Sequence, residues 1–277
     1  MPVRIVQSTQ NGRLKELRRA MAHPGREPRG LAAIEGPNLL CEALRTGLSI
    51  SCVFVAQGAE HLLDGLNLAP ETDVLLVPNE LLISALATET PQPVAALVEP
   101  PDWIWRDILE CGVDDSNQAP PLIIVLAGLQ DPGNLGAIVR SAEAFGASGI
   151  VCLPGTVSAW NPKAVRASAG SVFRVPLLNV SAKEAFVHLR EARVKVLTTA
   201  LRDAELADHA DLVGPVAFLI GNEGNGVPDE LAAQAGSAVT IPCPGPVESL
   251  NASVAASVLL YEASRQRSAA TAPRRRG

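Results

Sequence analysis

Apolar residues in the first hundred positions alternate between two rhythms, and each rhythm predicts a different element. From Arg13 to Met21, Leu14, Leu17 and Met21 recur at helical spacing among cations, which predicts a basic amphipathic helix. LAAIEG reads as a strand, and GPNLLCEALRTG as a helix opened by Pro37 and closed by Gly47. ISCVFVA is the next strand, residues 59–66 are helical, and DVLLV is a strand. NELLISALA follows as a helix with Asn79 as its N-cap, and PVAALVE closes the series as a strand. Strands alternating with helices predict a small, largely parallel α/β domain over residues 1–98.

The rhythm stops at residues 99–120, where Pro100, Pro101, Asp114, Asp115, Pro120 and Pro121 predict a linker. Trp103, Ile104, Trp105 and Ile108 suit a helix docked within it, and the two indoles read as an interdomain anchor rather than a base-stacking platform. PLIIVLAGL then starts a second domain, over 121–264, with a run apolar on both faces, as a central parallel strand requires. A helix over Leu135–Phe145, the strand GIVCL, a helix near Lys163–Ala169, the run FRVPLL and a helix over 181–191 come next. The strands VKVLTTA, VAFLI and AVTIP, with the short helix PDELAAQ, lead to a long helix from Ser249 to Ser264. Residues 265–277 read as a basic tail.

Composition narrows the class. The longest apolar runs fall short of the 18 residues of a membrane span, and the N-terminus lacks the apolar stretch of a secretory signal, so no membrane association is expected. Cys41, Cys52, Cys111, Cys152 and Cys243 are scattered without a C-x-x-C pair. They suit a reducing cytoplasm, as small buried hydrophobes. The four histidines have no ligand spacing, and no metal is expected.

The net charge of −6 disguises an uneven distribution. Residues 1–30 carry seven cations, Arg13, Lys15, Arg18 and Arg19 among them, against two acids. Residues 31–119 carry two cations against fourteen acids, and the chain ends in Arg274, Arg275 and Arg276. A basic arm can neutralise phosphates, or it can be a solvated helix face. Charge alone leaves both open.

Three segments, each following a predicted strand, carry candidate chemistry, because ligands in parallel sheets sit beyond the carboxyl ends of strands. In GLQDPGNLGAIVRSAEAFG, Asn134 opens a helix and Arg140 follows six residues later. LIGNEGNGV sets three glycines and Glu223 after a buried strand, without the Gly-Lys-Ser/Thr of a Walker loop. IPCPGPVESLNASVAASVLLYE turns through prolines to Ser249, Leu250 and Asn251 at a helix start. Each alone is also explained by a cap or a turn: Asn134 or Ser249 as caps, Arg140 as a surface cation.

Together, in this order, the segments resemble the three motifs of the SpoU (TrmH-like) family of SPOUT methyltransferases. The match comprises the Asn/Arg pair, G-x-E-G-x-G-V, and I-P-x-x-G-x-x-x-S-L-N, with Cys243 where the family often shows Met. It spans residues 120–264. IEGPNLLCEAL, around Glu35 and Gly36, resembles more loosely the small RNA-binding domain often fused to this family.

The resemblance implies a parallel-sheet domain with a C-terminal trefoil knot, a homodimer, and S-adenosylmethionine-dependent methylation of ribose 2′-hydroxyls in RNA. Ribosomal RNA is the favoured substrate and transfer RNA the alternative. It implies catalytic roles for Arg140, Asn134, Glu223, Ser249 and Asn251, with Glu223 a candidate to orient Arg140. Cofactor contacts fall to Thr199, Ala200, Gly221, Ile241 and Leu250, and RNA contacts to the arm. A side chain at Gly221 is expected to intrude on main chain facing the cofactor. Arg140 is better suited to holding a phosphate or a nascent alkoxide than to acting as a base, because guanidinium stays charged. A non-catalytic RNA-binding scaffold and a small-molecule α/β enzyme remain rivals at this point.

Overall fold

The computed structural model describes residues 3–24, 30–86, 88–110, 119–200, 203–247 and 249–271. The chain folds as two compact units, Met1–Asp102 with Ser158–Arg174, and Trp103–Val157 with Val175–Gly277. The first of these pairings was not visible in the sequence pattern. The segment from Ser158 leaves the predicted second domain and folds with the first unit.

The first unit opens with β1 (Val3–Ile5), α1 (Gly12–Ala22), β2 (Ala32–Glu35) and α2 (Pro37–Arg45). It continues with β3 (Ile50–Ala56), β4 (Asp73–Val77), α3 (Asn79–Ile83) and β5 (Val94–Val98). Asn11 caps α1 by accepting from the amides of Arg13 and Leu14, and Leu14 and Leu17 are fully buried beneath it. The sheet order is β1-β4-β3-β5-β2, and it is mixed rather than largely parallel. β1–β4 and β4–β3 run parallel, whereas β5 runs antiparallel to β3 and β2.

Between β4 and β5 lies α3, five residues long and about 7.5 Å in span. β5 starts at the end where β4 finished. Pro78 occupies the N-cap position of α3, which makes Asn79 its first helical residue instead of its cap. Residues 59–66, expected as a helix, form only a short 3-10 turn over Glu60–Leu63.

The second unit begins with α4 (Trp105–Leu109), β6 (Leu122–Leu126), α5 (Pro132–Ala144) and β7 (Gly149–Cys152). The two tryptophans pack on this unit's own core. Trp105 stacks on His188 with ring centroids 4.7 Å apart, and its Nε1 donates to Glu184 at 3.3 Å. Ile108 is fully buried, and Gly149 makes room for it: a Cβ there would lie 2.6 Å from Ile108 Cγ1. After β7 the chain forms α6 (Pro162–Ala167) within the first unit. It returns through β8 (Leu177–Asn179), α7 (Ala182–Glu191), β9 (Lys195–Thr199), β10 (Glu205–Leu206), β11 (Val216–Ile220), α8 (Asp229–Ala232), β12 (Ser237–Thr240) and α9 (Ala252–Thr271).

This sheet is parallel at each pairing among the described residues, in the order β10-β12-β9-β11-β6-β7-β8. β6 and β11 are buried along their whole length, which explains their continuous apolar runs. Their register pairs Leu126 with Ile220, and Leu219 with Thr198 of β9, so three strands end side by side.

α9 continues to Thr271, so residues 265–271 are helix, while Arg274–Arg276 lie outside the described residues. Arg267 pins this last part down. Its guanidinium donates to the carbonyls of Leu212 (3.1 Å), Pro120 (2.6 Å), Pro121 (3.0 Å) and Gly214 (2.7 Å). Burial lowers its pKa, but a guanidinium remains charged at neutral pH. Arg267→Ala orphans several carbonyls at once and should cost about 2–4 kcal/mol in a thermal or denaturant melt. Arg267→Lys should recover little, because a point charge cannot reach four acceptors. A loss below about 0.5 kcal/mol, the scale of ordinary surface substitutions, would contradict this.

Candidate active site at the carboxyl ends of the second sheet

The loop after β11 closes on itself. The amide of Asn222 donates to Gly226 O and the amide of Gly226 donates to Asn222 O, both at 2.9 Å. Asn222 Oδ1 accepts from the amides of Gly224 (2.9 Å) and Asn225 (3.3 Å), and its Nδ2 donates to Gly128 O at 2.9 Å. Gly221 makes this closure possible. A Cβ on it would lie 2.0 Å from Gly226 C and 2.3 Å from Val227 N. The steric demand expected towards a ligand is therefore met inside the loop itself.

Glu223 reaches from this loop to the start of α5. It accepts from Asn134 Nδ2 at 3.0 Å and from the amides of Asp131 (3.1 Å) and Gln130 (3.3 Å). Asp131 is the N-cap of α5, accepting from Gly133 N, and this leaves the Asn134 side chain available for the bond to Glu223. Asn134 Oδ1 in turn accepts from Asn251 Nδ2 at 3.0 Å. Asn251, not Ser249, caps α9: its Oδ1 accepts from the amide of Ser253 at 2.9 Å and its carbonyl from that of Ala255 at 2.9 Å. One chain of bonds, Glu223–Asn134–Asn251, thus joins the three sequence segments.

Desolvation pushes the Glu223 carboxyl up, but the bonds from Asn134, its own amide, Asp131 and Gln130 outweigh that and hold its pKa below 4.5. A carboxylate so held is an acceptor and a poor base. Because its pKa is depressed in the folded state, the clamp is complete above about pH 4.5 and is lost as pH falls through the lowered value. The Asp131 amide resonance should titrate with a midpoint below 4.5, and Glu223→Gln should abolish that titration. A midpoint above 4.5 would contradict the assignment.

A cavity of about 580 Å³ lies beside this network, at the ends of β9, β11 and β12 and the start of α9. Thr199, Ala200, Gly221, Ile241 and Leu250 line it, as do Glu223, Ser249 and Asn251. Its volume is that of a site for a small organic ligand, typically about 300–1,000 Å³. Much of the wall is strand-end and loop main chain, suited to hydrogen-bonding a flat heterocycle. Ile241 and Leu250 supply apolar surface. Asn222, Val239 and Ala255 also line the cavity and were not foreseen. Asn222 was legible only as the variable position of G-x-E-G. Among the described residues no group of three or more His, Cys, Asp or Glu could hold a metal ion.

Arg140 does not join this cluster. Six residues beyond Asn134 on α5, it sits about 120° round the helix, is exposed, and makes no side-chain hydrogen bond or ion pair among the described residues. Glu223 therefore orients Asn134 and the α5 start instead of Arg140.

The basic arm is largely committed to its own unit. Arg13 binds Asp73 (3.0 Å) and Glu16 (3.0 Å), and Arg18 donates to Thr9 O and Ser84 Oγ. Lys15 and Arg19 are exposed. Burial pushes the thiols of Cys52 and Cys152 up to about 12, as small hydrophobes require. Cys41 is exposed and Cys243 half-buried, and Cys111 lies outside the described residues.

A parallel α/β sheet with a ligand-sized cavity at its strand ends, ringed by an Asn–Glu–Asn network, defines a nucleotide- or cofactor-handling enzyme class. Residues 121–261 match the SpoU rRNA Methylase family, and residues 11–96 the MRM3-like substrate binding domain. The chain belongs to the SpoU family of RNA methyltransferases. It is 33% identical, over 97% of its length and 96% of the relative's, to an uncharacterized tRNA/rRNA methyltransferase of Synechocystis. It is 27% identical to the 23S rRNA (guanosine(2553)-2′-O)-methyltransferase RlmP of Bacillus subtilis, covering 92% of this chain and 97% of that one. An AdoMet-bound rRNA methyltransferase from Sinorhizobium meliloti superposes with a TM-score of 0.80 at 31% identity, covering 95% of this chain and 98% of that one. Among the described residues no helix is long and apolar enough to cross a membrane.

Proposed function

We propose that this chain methylates a ribose 2′-hydroxyl of structured RNA, most directly 23S ribosomal RNA, with S-adenosylmethionine as methyl donor. The observation that carries the reading is the Glu223–Asn134–Asn251 chain, which draws the three motif segments to the mouth of one cavity of fitting size. The AdoMet-bound relative supports the cofactor, and the RlmP relative supports the ribosomal substrate.

In this reading Thr199, Ala200, Gly221, Ile241 and Leu250 hold the cofactor, chiefly by main-chain bonds and apolar packing. S-adenosylmethionine, when bound, supplies an electrophilic methyl group on a sulfonium. The chain's task is then to bring the ribose hydroxyl into line and to stabilise the negative charge that grows on its oxygen. Asn134 and Asn251 are fixed by their mutual bond, and Ser249 stands exposed at the rim, where a ribose or phosphate would arrive.

Arg140 supplies the positive charge, and it does so across a homodimer. It does not line the cavity described above, and α5 packs on α9, whose outer face presents Val254, Val258 and Tyr261 at helical spacing. An apolar stripe of this kind suits a second copy. Arg140 of the partner subunit would then face the cavity. In this reading the C-terminal segment forms the trefoil knot that the family resemblance implies. Lys15, exposed on α1, contributes affinity for the RNA backbone.

The test is a calorimetric titration with S-adenosylmethionine followed by transfer of labelled methyl to deproteinised ribosomal or transfer RNA. Saturable binding with label on ribose 2′-oxygens of 23S RNA is expected. Label on transfer RNA alone would move the substrate, and binding without transfer would leave an RNA-binding scaffold.

A further inference from the structure

The loop that follows β6 is fastened along its main chain from two sides. On one side stand Ile220, Asn222 and Glu223, at and just beyond the end of β11. Ile220 O accepts from the amide of Ala127 at 2.8 Å, and Asn222 Nδ2 donates to Gly128 O at 2.9 Å. Glu223 accepts from the amides of Gln130 (3.3 Å) and Asp131 (3.1 Å). On the other side stand Gly155, Thr156 and Val157. Thr156 Oγ1 accepts from the amide of Gly128 at 3.2 Å and donates to Leu126 O at 3.0 Å. The amide of Val157 donates to Leu129 O at 2.8 Å, and a Cβ on Gly155 would stand 3.5 Å from Gly128 Cα. Gly128, which turns the chain at φ +75°, is therefore held through both its amide and its carbonyl.

Asn222 works in two directions. Its Oδ1 accepts from two amides of its own loop, Gly224 and Asn225, which occupies both lone pairs. Its Nδ2 reaches out of that loop to Gly128 O. One side chain thus shapes the loop that lines the cavity and also fixes the loop whose amides bind Glu223. The first of these loops belongs to the cofactor cavity. The second leads into Asn134 and, through it, to Asn251.

On the RNA-methylating reading above, we propose that Asn222 is a positioning residue for methyl transfer, locking the cofactor loop to the start of α5 so that ribose and methyl group meet in line. Without its bond to Gly128 O, residues 128–131 can drift against residues 222–226, and the bonds joining Glu223, Asn134 and Asn251 loosen with them. A misplacement of about 1 Å can cost about 10²-fold in rate even when it originates away from the chemistry.

Asn222→Ser separates the two directions. The serine hydroxyl can still accept from an amide of its own loop, but it is too short to reach Gly128 O. Calorimetry should find S-adenosylmethionine affinity within about threefold of wild type, the scale of an ordinary exposed substitution. The maximal rate of methyl transfer to a deproteinised 23S rRNA transcript should fall by about 10–100-fold. The titration midpoint of the Asp131 amide should also move up towards 4.5, because looser partners depress the Glu223 carboxyl less. Thr156→Val releases the same Gly128 peptide from its other side at nearly the same side-chain size, and it should show the same split between affinity and rate. Thermal melts of both variants control for folding. An unchanged maximal rate in either variant overturns the proposal, as does a loss of cofactor affinity with the rate at saturation intact. A wild type that binds the cofactor but transfers no methyl to the transcript overturns the RNA-methylating reading instead.

Discussion

Replacing Arg140 with alanine should lower methyl transfer by about 10²–10³-fold, the usual effect of removing one preorganised group that stabilises transition-state charge. Affinity for S-adenosylmethionine should be unchanged, because Arg140 lies outside the cavity. Arg140→Lys should also be poor, since an ammonium cannot offer a planar fork to phosphate or alkoxide. The exposed position of Arg140 on α5 adds a sharper expectation. If it serves the cavity of the partner subunit, mixing Arg140→Ala protomers with cofactor-binding-defective protomers should restore activity. In each mixed dimer one intact cavity then meets one intact arginine. No restoration in verified mixed dimers would place Arg140 in its own chain's site, and full activity in Arg140→Ala would remove it from catalysis.

Gly221→Ala should abolish cofactor binding as fully as a bulkier residue would. The methyl would stand 2.0 Å from Gly226 C and 2.2 Å from Gly226 O, both backbone atoms that cannot swing aside. The loop must open, and with it go the paired Asn222–Gly226 bonds and the reach of Glu223 to Asn134. Calorimetry should find no saturable binding, while the melting temperature falls only slightly, because the strain lies at a strand end and in an exposed loop. Gly226→Ala is the contrast. Nothing lies within 4 Å of its added Cβ, so its cost is that of a φ of +67° alone, and weakened binding should remain measurable. Equal affinity for wild type and Gly221→Ala would show that the loop is not part of the cofactor site.

Much of this was readable from the sequence because its cause is local. Buried parallel strands write themselves as apolar runs, so β7, β9 and β11 were found within a residue and β6 within three. Motif order placed Glu223, Asn251, Gly221, Ile241 and Leu250 around one cavity, and the end of the strand VKVLTTA placed Thr199 and Ala200 there. What escaped was set by contacts between distant residues. The antiparallel course of β5 is a pairing with β3 and β2, strands distant in sequence, which apolar rhythm does not encode. The return of residues 158–174 to the first unit rests on packing against β2 and α2, and nothing in NPKAVRASAGSVFR names its neighbours. Asn134 looked like a cap because capping is what asparagine at a helix start ordinarily does. Asp131, three residues earlier, performs that task and releases Asn134 to bridge Glu223 and Asn251. The arm looked free because its partner Asp73 lies sixty residues away in sequence.

The central claim is ribose methylation of ribosomal RNA, and the most direct measurement maps 2′-O-methyl groups across total RNA from cells with and without this protein. One ribose in 23S RNA should lose its methyl group when the protein is absent and regain it when the wild-type chain, but not Arg140→Ala, is restored. An unchanged methylation map in ribosomal and transfer RNA would contradict the account.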